Sequence, residues 1–133
     1  KPEGLNRGRG IEVFNNVKDI MNFACTKGPK MRYVIQKYIE KPMLYHQRKF
    51  DIRVWALFKG NEDKLYYYKR GYVRTSSDEF THKIGDNKAV HLTNNCFQQH
   101  LDNYGKFEDG NTISFEALQA YLDDEFPDDN VNV

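Results

Sequence analysis

The chain has 133 residues, 39% hydrophobic and 29% charged, a balance that fits one folded unit with a modest core and excludes an extended disordered chain. Twenty basic residues against nineteen acidic ones leave a formal net charge of +1, so no global field draws the chain towards nucleic acid or anionic lipid, and any charge logic is local. No apolar run is long enough to span a bilayer, and nothing resembles a signal peptide.

The chain opens on Lys1-Pro2 and closes on the acidic DDNVNV, which reads as a piece of a larger domain. Residues 3 to 10, EGLNRGRG, form a glycine-rich loop. Ile11 to Phe14 has the composition of a short strand. Asn16 is placed to cap a helix along which Val17, Ile20, Met21 and Ala24 recur at helical spacing, with Gly28 and Pro29 ending it. Tyr33 to Ile39 is rich in aromatic and β-branched residues and predicts a strand closed off near Pro42. Residues 49 to 58, KFDIRVWALF, predict one long strand. Phe50, Ile52, Val54, Ala56 and Phe58 would face a core, and Lys49, Asp51, Arg53 and Trp55 the other side. Gly60-Asn61 begins a loop, and Leu65 to Tyr68 followed by Tyr72 to Thr75 supply the returning arm of a hairpin. Ser114 is placed to cap a last helix with Phe115, Leu118 and Leu122 on one stripe. This mixture of helices with an antiparallel hairpin predicts an α+β or mixed α/β fold.

Two cysteines, Cys25 and Cys96, fall in no metal-ligand spacing and are too few for a disulfide scaffold. They read as small buried hydrophobes in a reducing compartment.

Three groups of residues can carry chemistry. The loop Arg7, Gly8, Arg9, Gly10, preceded by Lys1, offers backbone N–H groups and cations to a phosphate, although solvated loops of this composition are common. On the charged strand face, Lys49, Asp51 and Arg53 would point the same way about 7 Å apart. Gln36, Lys37 and Tyr38 on the preceding strand and Lys69, Arg70 and Arg74 on the returning one would gather cations around a single carboxylate. Such a set repels itself unless an anion is supplied, which points to a polyanion such as a nucleoside triphosphate. The row His91, Leu92, Thr93, Asn94, Asn95 places imidazole, hydroxyl and amide groups where a ribose or phosphate can be hydrogen-bonded. No histidine or cysteine cluster suggests zinc. Tyr66, Tyr67, Tyr68 and Tyr72 are ordinary strand tyrosines rather than a base-stacking platform.

In chain order, Lys1-Pro2 with NRGRGI, then YVIQKYIEKP, RKFDIRVWAL, YVRTSS, HLTNNC and NYGKFEDGN resemble the central part of the tubulin–tyrosine-ligase-like family. The resemblance covers nearly the whole chain. It implies an ATP-grasp fold and an ATP-dependent carboxylate–amine ligase that adds tyrosine, glutamate or glycine to tubulin through an acyl phosphate.

The resemblance also implies roles. Lys1 would reach the ATP phosphates with the Arg7 to Gly10 loop folded over them. Gln36, Lys37, Tyr38 and Ile39 would read the adenine, largely through the backbone of Tyr38 and Ile39. Lys49 would lie near the base and Asp51 near the ribose. Arg53 would face the γ-phosphate, Arg74 would hold phosphate or substrate carboxylate, and His91, Thr93 and Asn94 would line the ribose and phosphate side. The partners implied are the acidic tail of tubulin or microtubules and a free amino acid, with no nucleic acid and no membrane. The location implied is the cytoplasm and cytoskeleton, including the cilium or basal body.

The family's Mg²⁺ ligands, in a Glu-x-Asn element, have no counterpart here. Asp123, Asp124, Glu125, Asp128 and Asp129 read as a solvated helix end and tail. The N-terminal lobe is also missing, so the piece alone is expected to be inactive. HLTN with Asn95-Cys96 and NYGKFEDGN looks nearest to the tyrosine-adding member. Two other readings stay open: a non-catalytic tubulin-binding pseudo-ligase, and an ATP-grasp ligase acting on a small molecule.

Overall fold

The computed structural model describes residues 1–28, 31–83, 87–129 and 131–133. Its centre is a four-stranded antiparallel sheet in the order β1, β2, β5, β6, comprising β1 (Leu44–Tyr45), β2 (Arg48–Arg53), β5 (Tyr72–Glu79) and β6 (Thr112–Ile113). A separate ribbon pairs β3 (Ala56–Lys59) with β4 (Lys64–Tyr67). Among the described residues three α-helices accompany them: α1 (Val17–Lys27), α2 (Asn95–Gln98) and α3 (Phe115–Glu125). The class is α+β, as the alternation of strand and helix patterns predicts.

The core forms where α3 crosses the sheet. Val73, Ile113, Leu118 and Leu122 are buried together, with Phe50, Tyr45, Phe115 and Tyr121 packed against them. The helix begins as expected, because the Ser114 hydroxyl accepts the Ala117 N–H at 3.1 Å. Residues Leu118 and Leu122, one turn apart, then fall on the face turned to the sheet. β1 and β2 are joined through His46 and Gln47, both with positive φ (44° and 61°). A two-residue connection of this kind matches the right-handed strand twist. The His46 ring rests on Tyr45 and Tyr121.

Several sequence expectations are corrected. The long strand expected over 49 to 58 breaks at Val54 and Trp55, because the ladder to β5 ends where Arg53 meets Tyr72. Gly71 makes that junction tight: a Cβ there would lie 2.4 Å from both the Arg53 carbonyl oxygen and the Phe115 ring. Beyond the break the chain enters the β3–β4 ribbon, so the expected core face dissolves. Of its residues only Phe50 joins the core, whereas Ile52, Val54 and Phe58 are 45%, 48% and 62% exposed. The returning arm divides in the same way: β4 closes the hairpin with β3, and β5 pairs with β2 instead.

Ile11 to Phe14 and Tyr33 to Ile39 form no strand among the described residues. The second segment makes a single antiparallel bridge, Pro2 to Tyr33. The α1 helix starts on Asn16, whose side chain accepts the Asp19 N–H, and ends at Gly28 (φ 72°); Pro29 lies outside the described residues. None of its residues is fully buried. Its best-packed ring, Phe23, sits between Phe14 and Tyr33 at 5.3 and 5.6 Å. Cys25 and Cys96 are both exposed, against the expectation of burial.

Candidate functional site

β2 sends alternate side chains to opposite sides of the sheet, and both sides carry charge. Towards the core, Arg48 is 2% exposed. It forms a bidentate ion pair with Glu108, in which Nη1 donates to Oε2 at 2.8 Å and Nη2 to Oε1. Its guanidinium also lies over the rings of Phe107 (4.4 Å) and Tyr45 (5.8 Å). Burial pushes the Glu108 carboxyl up, but hydrogen bonds from Arg48 and Thr75 outweigh this and hold it below the usual carboxylate value.

The opposite side carries Lys49 and Asp51. Between Arg48 and Phe50 the register against β5 shifts, from Glu79 to Thr75. At this irregularity the Lys49 N–H is taken by the Ser76 hydroxyl at 3.1 Å rather than by a strand carbonyl. The Lys49 ammonium then reaches the Tyr38 hydroxyl at 3.1 Å and the His91 carbonyl oxygen at 3.2 Å. Asp51 stands opposite Arg74 in the ladder. It accepts from Arg74 Nη2 at 2.7 Å and Nε at 2.9 Å, and from the Thr93 hydroxyl at 2.5 Å. The single carboxylate of the expected cationic face is thus joined to one of its cations and to the HLTN segment.

That segment is held by a buried glutamine. Gln98, fully buried on α2, accepts from the Ser77 N–H and hydroxyl on β5 at 2.8 and 2.6 Å, and donates to the carbonyls of Ala89 and Leu92. Asn111 extends the same network, donating to Ser77 Oγ at 2.8 Å while its oxygen accepts the Gly105 N–H. Every link is hydrogen-bonded, which is the condition for polar groups to persist in a core.

The glycine loop closes onto this surface. Arg7 and Gly8 both have positive φ (59° and 78°), and a Cβ on Gly8 would lie 3.1 Å from Asn94 Oδ1. Only glycine gives both that backbone conformation and that close approach without strain. Two adjoining depressions share Arg7, Gly8, Arg9 and Ile11. One of about 210 Å³ also carries Lys1, Asn6 and Asn94. The other, about 190 Å³, also carries Gly10, Lys88, Leu92 and Cys96. Each is smaller than the roughly 300 Å³ of a typical ligand pocket, so neither encloses a nucleotide alone. Antiparallel backbone bonds set Lys1 beside Val34, with Val34 N–H to Lys1 O at 2.8 Å.

The structure therefore forms two hydrogen-bonded groups from these residues, Lys49 with Tyr38 and His91, and Asp51 with Arg74 and Thr93. Asn94, next in the chain after Thr93, lines the depression of Lys1, Arg7, Gly8 and Arg9. Gly10 lies with the loop, in the neighbouring depression. Arg53 is exposed, and Lys1, Arg7 and Arg53 have no ion-pair partner among the described residues. Gln36, Lys37 and Ile39 are exposed in a segment outside the sheet. Lys69 and Arg70, expected on the cationic sheet, lie exposed in the link between β4 and β5.

Sequence reasoning missed Arg48, Gln98, Glu108 and Asn111. For Glu108 and Asn111 the one available signal was their place in the NYGKFEDGN stretch. Nothing in the sequence pairs Arg48 with a residue 60 positions away.

An antiparallel sheet with a cation-lined glycine loop near the HLTN segment defines a candidate anion-binding site. Comparison with known proteins fixes the family: the model of the "Tubulin-tyrosine ligase family" matches residues 1–132, and the chain belongs to it. The chain is 40% identical over 126 residues to "Tubulin glycylase 3D" of Tetrahymena thermophila, an alignment covering 92% of this chain and 12% of that protein. It is 35% identical over 130 residues to human "Tubulin monoglycylase TTLL3", covering 92% and 17%. With human "Protein monoglycylase TTLL8" it shares 39% over 107 residues, covering 77% and 12%. The chain thus spans less than a fifth of the length of these relatives.

Proposed function

We propose that this chain is the central, nucleotide-binding part of an ATP-grasp ligase that adds an amino acid to tubulin, and that the amino acid is glycine. The family match supports the ligase class, and the glycylase names of the similar proteins support glycine over tyrosine or glutamate. The observation that carries the reading is the convergence of Lys49, Asp51 and Thr93 with the Asn94–Gly8 contact and the cations of the glycine loop.

The donor set fits the anionic part of ATP. Lys1 and Arg7 are uncompensated cations at the rim of one depression, and the Gly8 backbone lies where a side chain would fill the cradle. When bound, ATP supplies the phosphoryl group that turns a carboxylate into an acyl phosphate, open to attack by the amine of glycine. This chain's own part is to hold two anions, the triphosphate and the carboxylate, at close range against their repulsion. Lys1, Arg7 and Arg53 provide the free positive charge. Arg74 is held in place by Asp51, and Asp51 by Thr93, so this one cation is positioned before ligand arrives. Among the described residues no group of three or more acidic, histidine or cysteine side chains is placed to hold a metal ion. Location follows from the substrate, in the cytoskeleton and cilium. No helix among the described residues is long and apolar enough to cross a membrane.

The test is ligation by the full-length protein on tubulin, with labelled glycine, tyrosine and glutamate in parallel. ATP-dependent incorporation of glycine is expected. Incorporation of tyrosine or glutamate without glycine would overturn the choice of amino acid, and no ATP-dependent incorporation of any of the three would overturn the ligase reading.

A further inference from the structure

Lys49 differs from Arg48 and Arg74, the other cations of the sheet with hydrogen-bonded side chains, in what holds it. Arg48 and Arg74 are each neutralised by a carboxylate, Glu108 and Asp51. The Lys49 ammonium instead donates to two neutral acceptors, the Tyr38 hydroxyl at 3.1 Å and the His91 carbonyl at 3.2 Å, and lies 4.6 Å from the centre of the Tyr38 ring. Two of its three N–H groups are thus fixed while its charge stays uncancelled. The third N–H has no hydrogen-bond partner among the described residues.

The Tyr38 oxygen accepts from Lys49 and lies 2.9 Å from His91 Nδ1. With the Tyr38 hydrogen donated to Nδ1, the imidazole carries its own hydrogen on Nε2. Nε2 is buried without a partner, which a phenylalanine at this place would avoid; what the imidazole alone supplies is an acceptor for Tyr38. Burial first, and the charge of Lys49 second, push the imidazole towards its neutral form. The groups facing the ring are Tyr38 on one edge, Lys49 through the His91 carbonyl, and the ring of Phe80 at 6.1 Å.

We infer that Tyr38 and His91 are positioning residues for Lys49: side chain to side chain, they aim an uncancelled ammonium at the anion the site receives. This assigns Tyr38 a side-chain role, where the family resemblance implied a backbone one, and it moves His91 from the ligand's wall to a support behind it. The inference rests on the nucleotide-binding reading above.

The experiment has two arms. In the full-length protein, ¹⁵N imidazole spectra at neutral pH should show His91 Nδ1 unprotonated and Nε2 protonated. Spectra selective for lysine ammonium groups should show Lys49 as ordered and slow to exchange. Tyr38→Phe, which removes one oxygen and leaves the ring, should release the Lys49 ammonium to solvent-like exchange. A protonated Nδ1, or a Lys49 signal unchanged by Tyr38→Phe, overturns the inference. In the full-length ligase, Tyr38→Phe should raise the KM for ATP about tenfold, the loss of one hydrogen bond to a charged group, with kcat within about twofold. His91→Asn, which keeps an acceptor at the Nδ1 position, should restore most of what His91→Leu loses. An unchanged KM in Tyr38→Phe with ligation intact sinks the positioning role alone, whereas a wild-type enzyme with no ATP-dependent ligation sinks the reading beneath it.

Discussion

Replacing Arg48 by alanine should come close to unfolding the chain. Arg48 is 2% exposed and Glu108 is nearly as hidden, with a side chain 13% exposed. Truncation leaves a buried carboxylate with Thr75 as its remaining hydrogen-bond donor (3.0 Å). Breaking a buried pair by removing one partner costs about 3–5 kcal/mol, and the contacts to Phe107 and Tyr45 are lost with it. Folded domains have only about 5–15 kcal/mol in hand. Urea unfolding followed by far-ultraviolet circular dichroism measures the loss. Glu108→Gln, which keeps the shape and an acceptor, should cost less, about 1–3 kcal/mol. The double variant Arg48→Met with Glu108→Leu should recover much of the stability, since two apolar groups leave no unpaired charge. Acid adds a second signature. The Glu108 carboxyl is held below its ordinary value of 4.5, so its contribution is present above that value and is lost as pH falls through the lower folded-state value. That slope should shrink in the double variant. A cost for Arg48→Ala below about 1 kcal/mol, with no coupling between the two positions, would refute the reasoning.

Four further outcomes follow. Gly8→Ala forces a side chain into a left-handed conformation and against Asn94; it should weaken nucleotide binding by the full-length protein, measured by equilibrium titration, with little change in melting temperature. Leu118→Ala, at a fully buried position of α3, should cost about 2–5 kcal/mol in urea unfolding. Asp51→Asn removes the charge that holds Arg74 and should slow ligation on the order of a hundredfold, assayed as labelled amino acid transferred to tubulin. Because the pKa of His91 is lowered from its ordinary 6.5, the unfolded chain takes up the proton first. Stability should therefore fall as pH drops from about 6.5 through the lower folded-state value, and His91→Asn should remove that component from a pH series of unfolding curves.

What the sequence shows and hides follows from the range of each interaction. The caps on Asn16 and Ser114 and the Leu118–Leu122 stripe are set within a few residues, and the structure has them as read. The charged alternation of Lys49 and Asp51 was equally visible, because a strand's period is local. Where the strand ends was not: the break at Val54 depends on β5 stopping opposite Arg53 and on Gly71 meeting Phe115. The expected strand at Tyr33 to Ile39 failed for a related reason. Its β-forming residues find a single bridge to Pro2 and no neighbour to extend it, and strand propensity without a partner is weak. The polar core was hidden most completely. Thr75, Ser76 and Ser77 look like a solvated stretch, yet all three are buried, with Thr75 and Ser77 bonded to residues more than twenty positions away.

The central claim is that β2, the HLTN segment and the glycine loop form one seat for a triphosphate. Hydrogen–deuterium exchange of the full-length protein, with and without Mg·ATP, probes it most directly. The amides of residues 6–11 and 91–96 should exchange more slowly with nucleotide, while those of α3 and the β3–β4 ribbon should not change. Protection confined to the ribbon or α3, with the loop and the HLTN segment untouched, would contradict the account.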